Sequence, residues 1–85
     1  MADDKSLKLT SQEIDASFSD PVSAVQFPPV LTIQQAAELL QVPVATIRDW
    51  RSRGLLGSCS RRVGKHVRIY RERLIRAAFN EGIGN

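Results

Sequence analysis

The segment from residue 31 to residue 69 constrains the fold of this chain more than any other part of the sequence. Its first ten residues, LTIQQAAELL, place apolar side chains at the i, i+3, i+4 and i+7 spacing of an amphipathic helix. These side chains are Ile33, Ala36, Ala37 and Leu40. Thr32 precedes them as a helix N-cap, and Gln35 stands where it completes a capping box. The pattern predicts a helix from about Ile33 to Leu40.

A second helix is predicted directly after the first. Val42-Pro43 ends the first helix, and because proline is tolerated at the start of a helix, the second begins near Val44. Ile47 and Trp50 are its expected core side chains. At about 100° per residue, its solvent-facing side holds Ala45, Arg48, Asp49 and Ser52. Gly54 stands where a glycine commonly ends a helix.

The following residues have the pattern of a strand pair and then of a helix. Residues 58–69 are expected to form a hairpin with its turn at 63–65, in which Val67 and Ile69 alternate with polar side chains as in a half-buried strand. A final helix is expected from about residue 71 to residue 80. Its inward side consists of Leu74, Ala77 and Ala78.

These elements predict a mostly α protein of the α+β class, with three short helices and a small two-stranded β-hairpin. A chain of 85 residues is long enough for one small domain. We place this domain at residues 31–80 and expect residues 81–85, which include two glycines, to form a flexible C-terminus.

Residues 1–30 are expected to form an acidic, flexible N-terminal tail. Ser, Asp and Pro recur in them, and the prolines at 28–29 deny backbone donors, so a boundary belongs there. Residues 11–18 have the spacing of a short helix, which is marginal in isolation. The alternative is a segment that docks on a partner, on its own domain or on a second copy. Four apolar residues favour this alternative: Val22, Val25, Phe27 and Val30.

Charge divides the chain into two unlike parts. Residues 1–30 carry two lysines against five carboxylates, a net charge of −3, whereas residues 31–85 carry ten cations against four carboxylates, a net charge of +6. Nine of those ten cations are arginine, whose planar guanidinium suits bidentate contact with phosphate or guanine. The basic part is therefore expected to bind a polyanion.

The exposed side of the second helix offers side chains suited to a DNA groove. Arg48 is the best candidate ligand for a base or a phosphate, and the small Ala45 permits close approach and contact with a thymine methyl group. Hydroxyl groups that can bind phosphate belong to Thr46 and Ser52. Asp49 either accepts a hydrogen bond from a cytosine amino group or pairs with Arg53 at i+4.

Five basic residues surround the expected hairpin turn: Arg61, Arg62, Lys65, His66 and Arg68. They suit contact with an adjacent minor groove, where the potential is most negative, or with phosphates along the backbone. If about five or six cations neutralise phosphates, affinity falls steeply with salt. The alternative is a solvated pair of charged strands without a ligand.

Two stretches of the sequence are similar to a known family. LTIQQAAELLQVPVATIRDWRSRGLL resembles the DNA-binding domains of MerR-like and phage excisionase proteins, and VRIYRERL is similar to the end of their wing and their third helix. The residues that carry the resemblance are Thr32, Ala36-Ala37, Leu40, Val42, Thr46, Ile47, Trp50, Gly54-Leu55 and Arg68. It implies a winged helix-turn-helix whose second helix enters the major groove while the wing contacts flanking DNA. Arg48 and Arg68 match basic family residues that commonly touch the backbone.

Two departures from the family pattern refine this expectation. Pro43 replaces the hydroxyl residue that usually caps the second helix. No long dimerisation helix or effector domain follows residue 80, which favours the short excisionase-like members that act through several copies. The same length also fits a small stand-alone repressor.

We therefore expect sequence-dependent binding of double-stranded DNA by an excisionase-type recombination directionality or architectural factor of a phage or mobile element. The alternatives are a small MerR-like transcriptional regulator and, in a different class, a basic protein-interaction module. Expected partners are duplex DNA, an integrase or recombinase, and further copies of the chain on DNA.

The sequence contains little that supports other classes of function. One His and one Cys cannot form a four-ligand zinc site, no phosphate-loop or catalytic motif occurs, and no enzyme, cofactor or small-molecule ligand is expected. No apolar run approaches the roughly 18–20 residues of a membrane span. The lone Cys59 fits a reducing cytoplasm, so a cytoplasmic, nucleoid-associated protein is expected.

Overall fold

The chain folds as a small antiparallel sheet with helices before, beside and after it. The structure is a computed structural model that describes residues 8–83. The elements of this range are α1 (Ser11–Ser17), α2 (Pro21–Gln26), β1 (Val30–Leu31), α3 (Ile33–Leu40), α4 (Val44–Ser52), β2 (Ser60–Val63), β3 (His66–Tyr70) and α5 (Arg71–Ile75), which continues as a π-helical turn (Arg76–Glu81). The predicted α+β class is confirmed, and two helices precede the predicted domain.

The pair α3 and α4 is the part of the fold that its local sequence determines most directly. The capping box of α3 is present, because Gln35 N donates to Thr32 Oγ1 at 3.0 Å and Thr32 N donates to Gln35 Oε1 at 2.9 Å. Gln41 ends α3 in the left-handed conformation, with φ at 57°. Pro43 then precedes α4 without a side-chain cap, and Gly54 follows that helix with φ at 78°.

The sheet has three strands in the order β1-β3-β2, one strand more than the predicted two-stranded hairpin. β2 and β3 form the expected hairpin, which closes at the pair Val63↔His66 and turns at residues 64–65. β1 joins the other edge of β3 through the pairs Val30↔Tyr70 and Leu31↔Ile69. A strand of two residues is too short to show an alternating pattern, which is why the sequence did not reveal it.

The main core lies between the sheet, α3, α4 and α5. Its fully or almost fully buried side chains are Leu31, Ala36, Ala37, Ile47, Leu56, Cys59, Ile69 and Leu74. Each large aliphatic side chain among them stabilises the fold by about 1.5–3 kcal/mol relative to its exposed state. Trp50 packs against this core while remaining partly accessible. Cys59 lies in the turn just before β2, and burial raises the pKa of its thiol.

The segment before β1 is folded from residue 8 onward and packs on α5. Thr10 and Glu13 form a capping box at the start of α1, and Ile14 is buried. Leu9 N donates to Asn80 Oδ1 at 2.6 Å, while Asn80 Nδ2 donates back to Leu9 O at 3.0 Å. Arg76 adds a hydrogen bond from its guanidinium to the hydroxyl of Ser11.

Arg71, the first residue of α5, connects the segment before β1 to the sheet. Its Nη1 donates to Phe27 O at 2.6 Å, and its guanidinium carbon lies 4.0 Å from the centre of the Phe18 ring. The rings of Phe18 and Phe27 meet edge to face at 6.4 Å. The backbone N of Arg71 also donates to Pro29 O at 2.8 Å.

This arrangement corresponds to the alternative in which the segment docks on its own domain. The flexibility assigned to residues 1–30 and 81–85, and the domain limits at 31 and 80, stay predictions. Residues 1–7 and 84–85 lie outside the described part of the chain.

The contacts of Arg71 generate a prediction about stability. Arg71→Ala should lower the free energy of unfolding by about 1–3 kcal/mol, because it removes a charged hydrogen bond and a cation–π contact. Urea denaturation followed by circular dichroism measures the change. Arg53→Ala is a matched control on an exposed ion pair, with an expected change below about 0.5 kcal/mol. Equal changes in the two variants would contradict the anchoring role of Arg71.

The hairpin turn generates a second prediction. Gly64 has φ at 61°, and a Cβ there would meet open space, so Gly64→Ala is unfavourable through backbone conformation alone. We expect a loss of about 1–2 kcal/mol in the free energy of unfolding, the usual cost of left-handed backbone for an L-residue. Gly57→Ala is the control, because the backbone φ of Gly57 is ordinary for L-residues and its nearest neighbour would lie 3.5 Å from the new Cβ. Thermal or urea denaturation of the two variants gives the comparison.

Candidate nucleic-acid interface

A cleft of about 380 Å³ separates the start of α3 and the exposed side of α4 from the hairpin. We call it the α4–hairpin cleft. Its lining consists of Thr32, Ile33, Gln34, Arg48, Lys65, His66, Val67 and Arg68. Four of the ten predicted site residues therefore meet around one cavity, although Arg48 and the hairpin residues are far apart in sequence.

The helical face predicted from the period of α4 is present. Four of its side chains are exposed, namely Ala45, Arg48, Asp49 and Ser52, and at about 100° per residue they occupy roughly 100° of the helix circumference. Thr46 is half-buried at one side of this face, while Ile47 points into the core and is fully buried. Arg48 is the member of the face that lines the cleft.

Asp49 is engaged within its own helix. Its Oδ2 lies 3.2 Å from Arg53 Nη1, which is the i+4 pairing that the sequence suggested as one alternative. Both side chains are more than half exposed, so this pair is weakly stabilising and easily exchanged for another partner. The hydroxyl of Ser52 donates to Asp49 O at 2.8 Å, which leaves the Ser52 oxygen free to accept.

The basic residues of the hairpin do not form one surface. Arg61 pairs with Arg68 across the sheet, and Arg62 pairs with Val67. Because neighbouring residues of a strand point to opposite faces, Arg61 and Arg62 project from opposite sides of the hairpin. Arg61 Nη1 is bound to the carbonyl oxygens of Gly57 and Ser60 at 2.7 and 2.8 Å, and neither Arg61 nor Arg62 lines the cleft.

The cleft carries uncompensated positive charge. Among residues 8–83 the carboxylate–guanidinium pairs are Arg53 with Asp49 and Arg76 with Glu72. Arg48, Lys65 and Arg68 are in neither pair, although Arg68 Nη1 donates to Val67 O at 2.9 Å. An anion that enters the cleft therefore meets cations without displacing a carboxylate of the described residues.

Gln34 is a cleft residue that sequence reasoning missed. It is exposed in the first turn of α3, beside Thr32 and Ile33, and it faces the same cavity as Arg48 and Lys65. Its amide group can donate to phosphate oxygen. The only sequence signal was a polar residue next to a capping box, which is not distinctive, because many first turns contain such a residue.

The described residues contain no group of three or more His, Cys, Asp or Glu side chains with the spacing of a metal site. No helix within residues 8–83 has the length and apolar character needed to cross a membrane.

Comparison with known proteins identifies the domain. Searches of curated proteins and of solved structures gave no significant match. The sequence profile of a family described as a helix-turn-helix domain matches residues 30–78, which is more than half of the chain. Domains of this family bind DNA and are typically non-enzymatic. The chain therefore belongs to the helix-turn-helix domain family of small excisionase-like and MerR-like DNA-binding domains.

Proposed function

We propose that the chain binds double-stranded DNA in a sequence-dependent manner through the α4–hairpin cleft. The observation that carries the proposal is the convergence of Arg48, Lys65, His66 and Arg68 on one cleft, where no carboxylate among residues 8–83 pairs with the arginines or the lysine. In this arrangement α4 enters the major groove and the hairpin acts as a wing against the flanking backbone.

The exposed face of α4 contains side chains suited to contact with bases and side chains suited to contact with phosphates. Arg48 contacts a base edge or the phosphate at the groove wall, and Ala45 permits close approach to a thymine methyl group. The hydroxyls of Thr46 and Ser52 accept or donate at phosphates. Asp49 keeps its pairing with Arg53 on most sequences and exchanges it for a cytosine amino group where one is in reach.

The hairpin supplies contacts that do not depend on base sequence. Lys65 and His66 lie at the turn, and with Arg68 they are suited to phosphates or to a narrow minor groove next to the site of α4. Arg62 extends this contact along the backbone from the edge strand. Arg61, which projects from the opposite side to Arg62, has a peripheral role in the proposed interface.

The biological role that we propose is an excisionase-type directionality or architectural factor that works with an integrase or recombinase. The supporting feature is the small reading surface, since one nine-residue helix with a single cleft arginine discriminates poorly between sequences. Several copies on neighbouring sites overcome this weakness. The second candidate is a small MerR-like transcriptional regulator, which the family relationship supports equally.

A titration of full-length protein with fluorescent duplex DNA tests the interface. Arg48→Ala should weaken binding to a preferred duplex by about 1–3 kcal/mol, because it removes a base or phosphate contact from the groove. Arg76→Ala is the control, since it deletes one positive charge outside the cleft, at a residue that pairs with Glu72. Equal losses in the two variants would mean that net charge alone drives binding.

Salt dependence separates the wing residues from the reading helix. Lys65→Ala should weaken binding to all duplexes about equally and reduce the slope of log affinity against log salt by about 1, because one phosphate contact is lost. Fluorescence anisotropy at several salt concentrations measures the slope. An unchanged slope would remove Lys65 from the interface, and absence of binding at low salt would reject DNA binding by this chain.

Footprinting on the preferred DNA distinguishes the two biological roles. Tandem, phased sites beside a recombination site, together with DNA bending in circular permutation assays, support the directionality factor. A single palindromic site over a promoter, without bending, supports the transcriptional regulator instead.

A further inference from the structure

A second cavity, with a volume of about 420 Å³, lies against the three-stranded sheet on the face that carries Arg61 and Tyr70. We call it the outer-sheet pocket. Its lining consists of Val30, Ser58, Cys59, Ser60, Arg61, Arg68, Ile69, Tyr70 and Arg73. The cross-strand pairs Val30↔Tyr70 and Arg61↔Arg68 place these four side chains on one face of the sheet, opposite to that of Ile69.

Three arginines meet at this pocket, and each of them is bound to backbone carbonyl oxygens. Arg73 Nη1 donates to Ser58 O at 3.2 Å, Arg61 to Gly57 O and Ser60 O, and Arg68 to Val67 O. None of the three belongs to an ion pair in the described part of the chain. Their guanidinium groups are therefore held in place by carbonyl groups while the positive charges remain available.

The lining also contains an apolar and an aromatic side chain that are about half exposed. Val30 is 49% exposed and Tyr70 is 51% exposed, although both belong to paired strands. Apolar side chains and a tyrosine next to arginines are the composition that protein interfaces favour at their centres. Concave sites with an apolar lining and a few fixed polar groups are also the usual form of a ligand pocket.

We propose that the outer-sheet pocket binds an acidic segment of a partner protein, in which a carboxylate stands next to an aromatic or branched apolar side chain. The carboxylate is taken by the guanidinium groups of Arg61, Arg68 and Arg73, and the apolar side chain packs on Val30 and Tyr70. This is a second site, which shares Arg68 with the α4–hairpin cleft.

The chemistry of the pocket favours a peptide over a second DNA duplex. Duplex DNA presents a continuous row of phosphates, whereas this surface alternates arginines with exposed Val30 and Tyr70. A peptide that carries a carboxylate beside an apolar side chain matches both kinds of lining residue, whereas a row of phosphates matches only the arginines.

Nuclear magnetic resonance of the full-length, ¹⁵N-labelled protein tests the proposal. The probe is the peptide acetyl-Asp-Phe-Glu-Asp-Phe-Glu-amide, and its uncharged counterpart is acetyl-Asn-Phe-Gln-Asn-Phe-Gln-amide. The acidic peptide should shift the amide signals of Val30, Tyr70 and Arg73, while those of Arg48 and His66 stay in place. The uncharged peptide should bind far more weakly, because the charged hydrogen bonds to arginine are lost.

Variants of single arginines locate the binding energy. Arg73→Ala should weaken the acidic peptide about tenfold, the effect of removing one charge-assisted hydrogen bond. Arg61→Ala should act in the same direction and serves as a second variant if Arg73→Ala unfolds. Arg62→Ala is the matched control, because Arg62 neighbours Arg61 in β2 but projects from the other face, and it should leave the peptide affinity unchanged.

Four outcomes would overturn the proposal. Equal binding of the two peptides would show that the arginines take no carboxylate, and shifts confined to the α4–hairpin cleft would show that the peptide only mimics DNA. Shifts at the pocket on addition of duplex DNA would make this surface a second DNA contact. Shifts that appear with protein concentration alone would assign the pocket to a second copy, whose α2 exposes Val22 and Val25 beside Asp20.

Discussion

The pairing of β3 on both of its edges is the constraint on which the rest of the structure depends. Ile69, the fourth of the five residues of this strand, is fully buried and lies opposite Leu31 on one side and Ser60 on the other. The first pairing brings the segment before α3 onto the sheet, and the second closes the hairpin. Because α5 begins directly after β3, the same strand also fixes where Arg71 meets Phe27. A change in register at Ile69 would therefore displace all of these elements together.

The two candidate binding surfaces meet along this strand. His66 and Val67, at its start, line the α4–hairpin cleft, and Ile69 and Tyr70, at its end, line the outer-sheet pocket. Arg68 contributes to both linings, so it is the residue through which occupation of one surface can affect the other. A strand of five residues thus borders both the proposed DNA interface and the proposed partner surface.

Sequence reasoning succeeded where the signal is local and failed where it is not. The limits of α3 and α4 and the hairpin turn follow from caps, helical period and Gly64, all of which act within a few residues. β1 was missed because two residues show no period. The prediction placed Arg61 and Arg62 in one basic cluster, although adjacent residues of a strand project from opposite faces of the sheet. The contact of Arg71 with Phe27 spans 44 positions, and no local pattern encodes a contact of that separation.

The position of the acidic segment that precedes β1 determines how this segment affects DNA binding. Its described residues attach to α5 through Asn80 and Arg71, and none of them lines the α4–hairpin cleft. These carboxylates therefore do not block the cleft by contact, and their influence on an approaching duplex is a repulsion over distance. Such a repulsion fades within a Debye length of about 8 Å at physiological ionic strength. The acidic segment before β1 thus weakens the attraction of the chain to any polyanion at low salt, and this effect disappears as salt screens its charge.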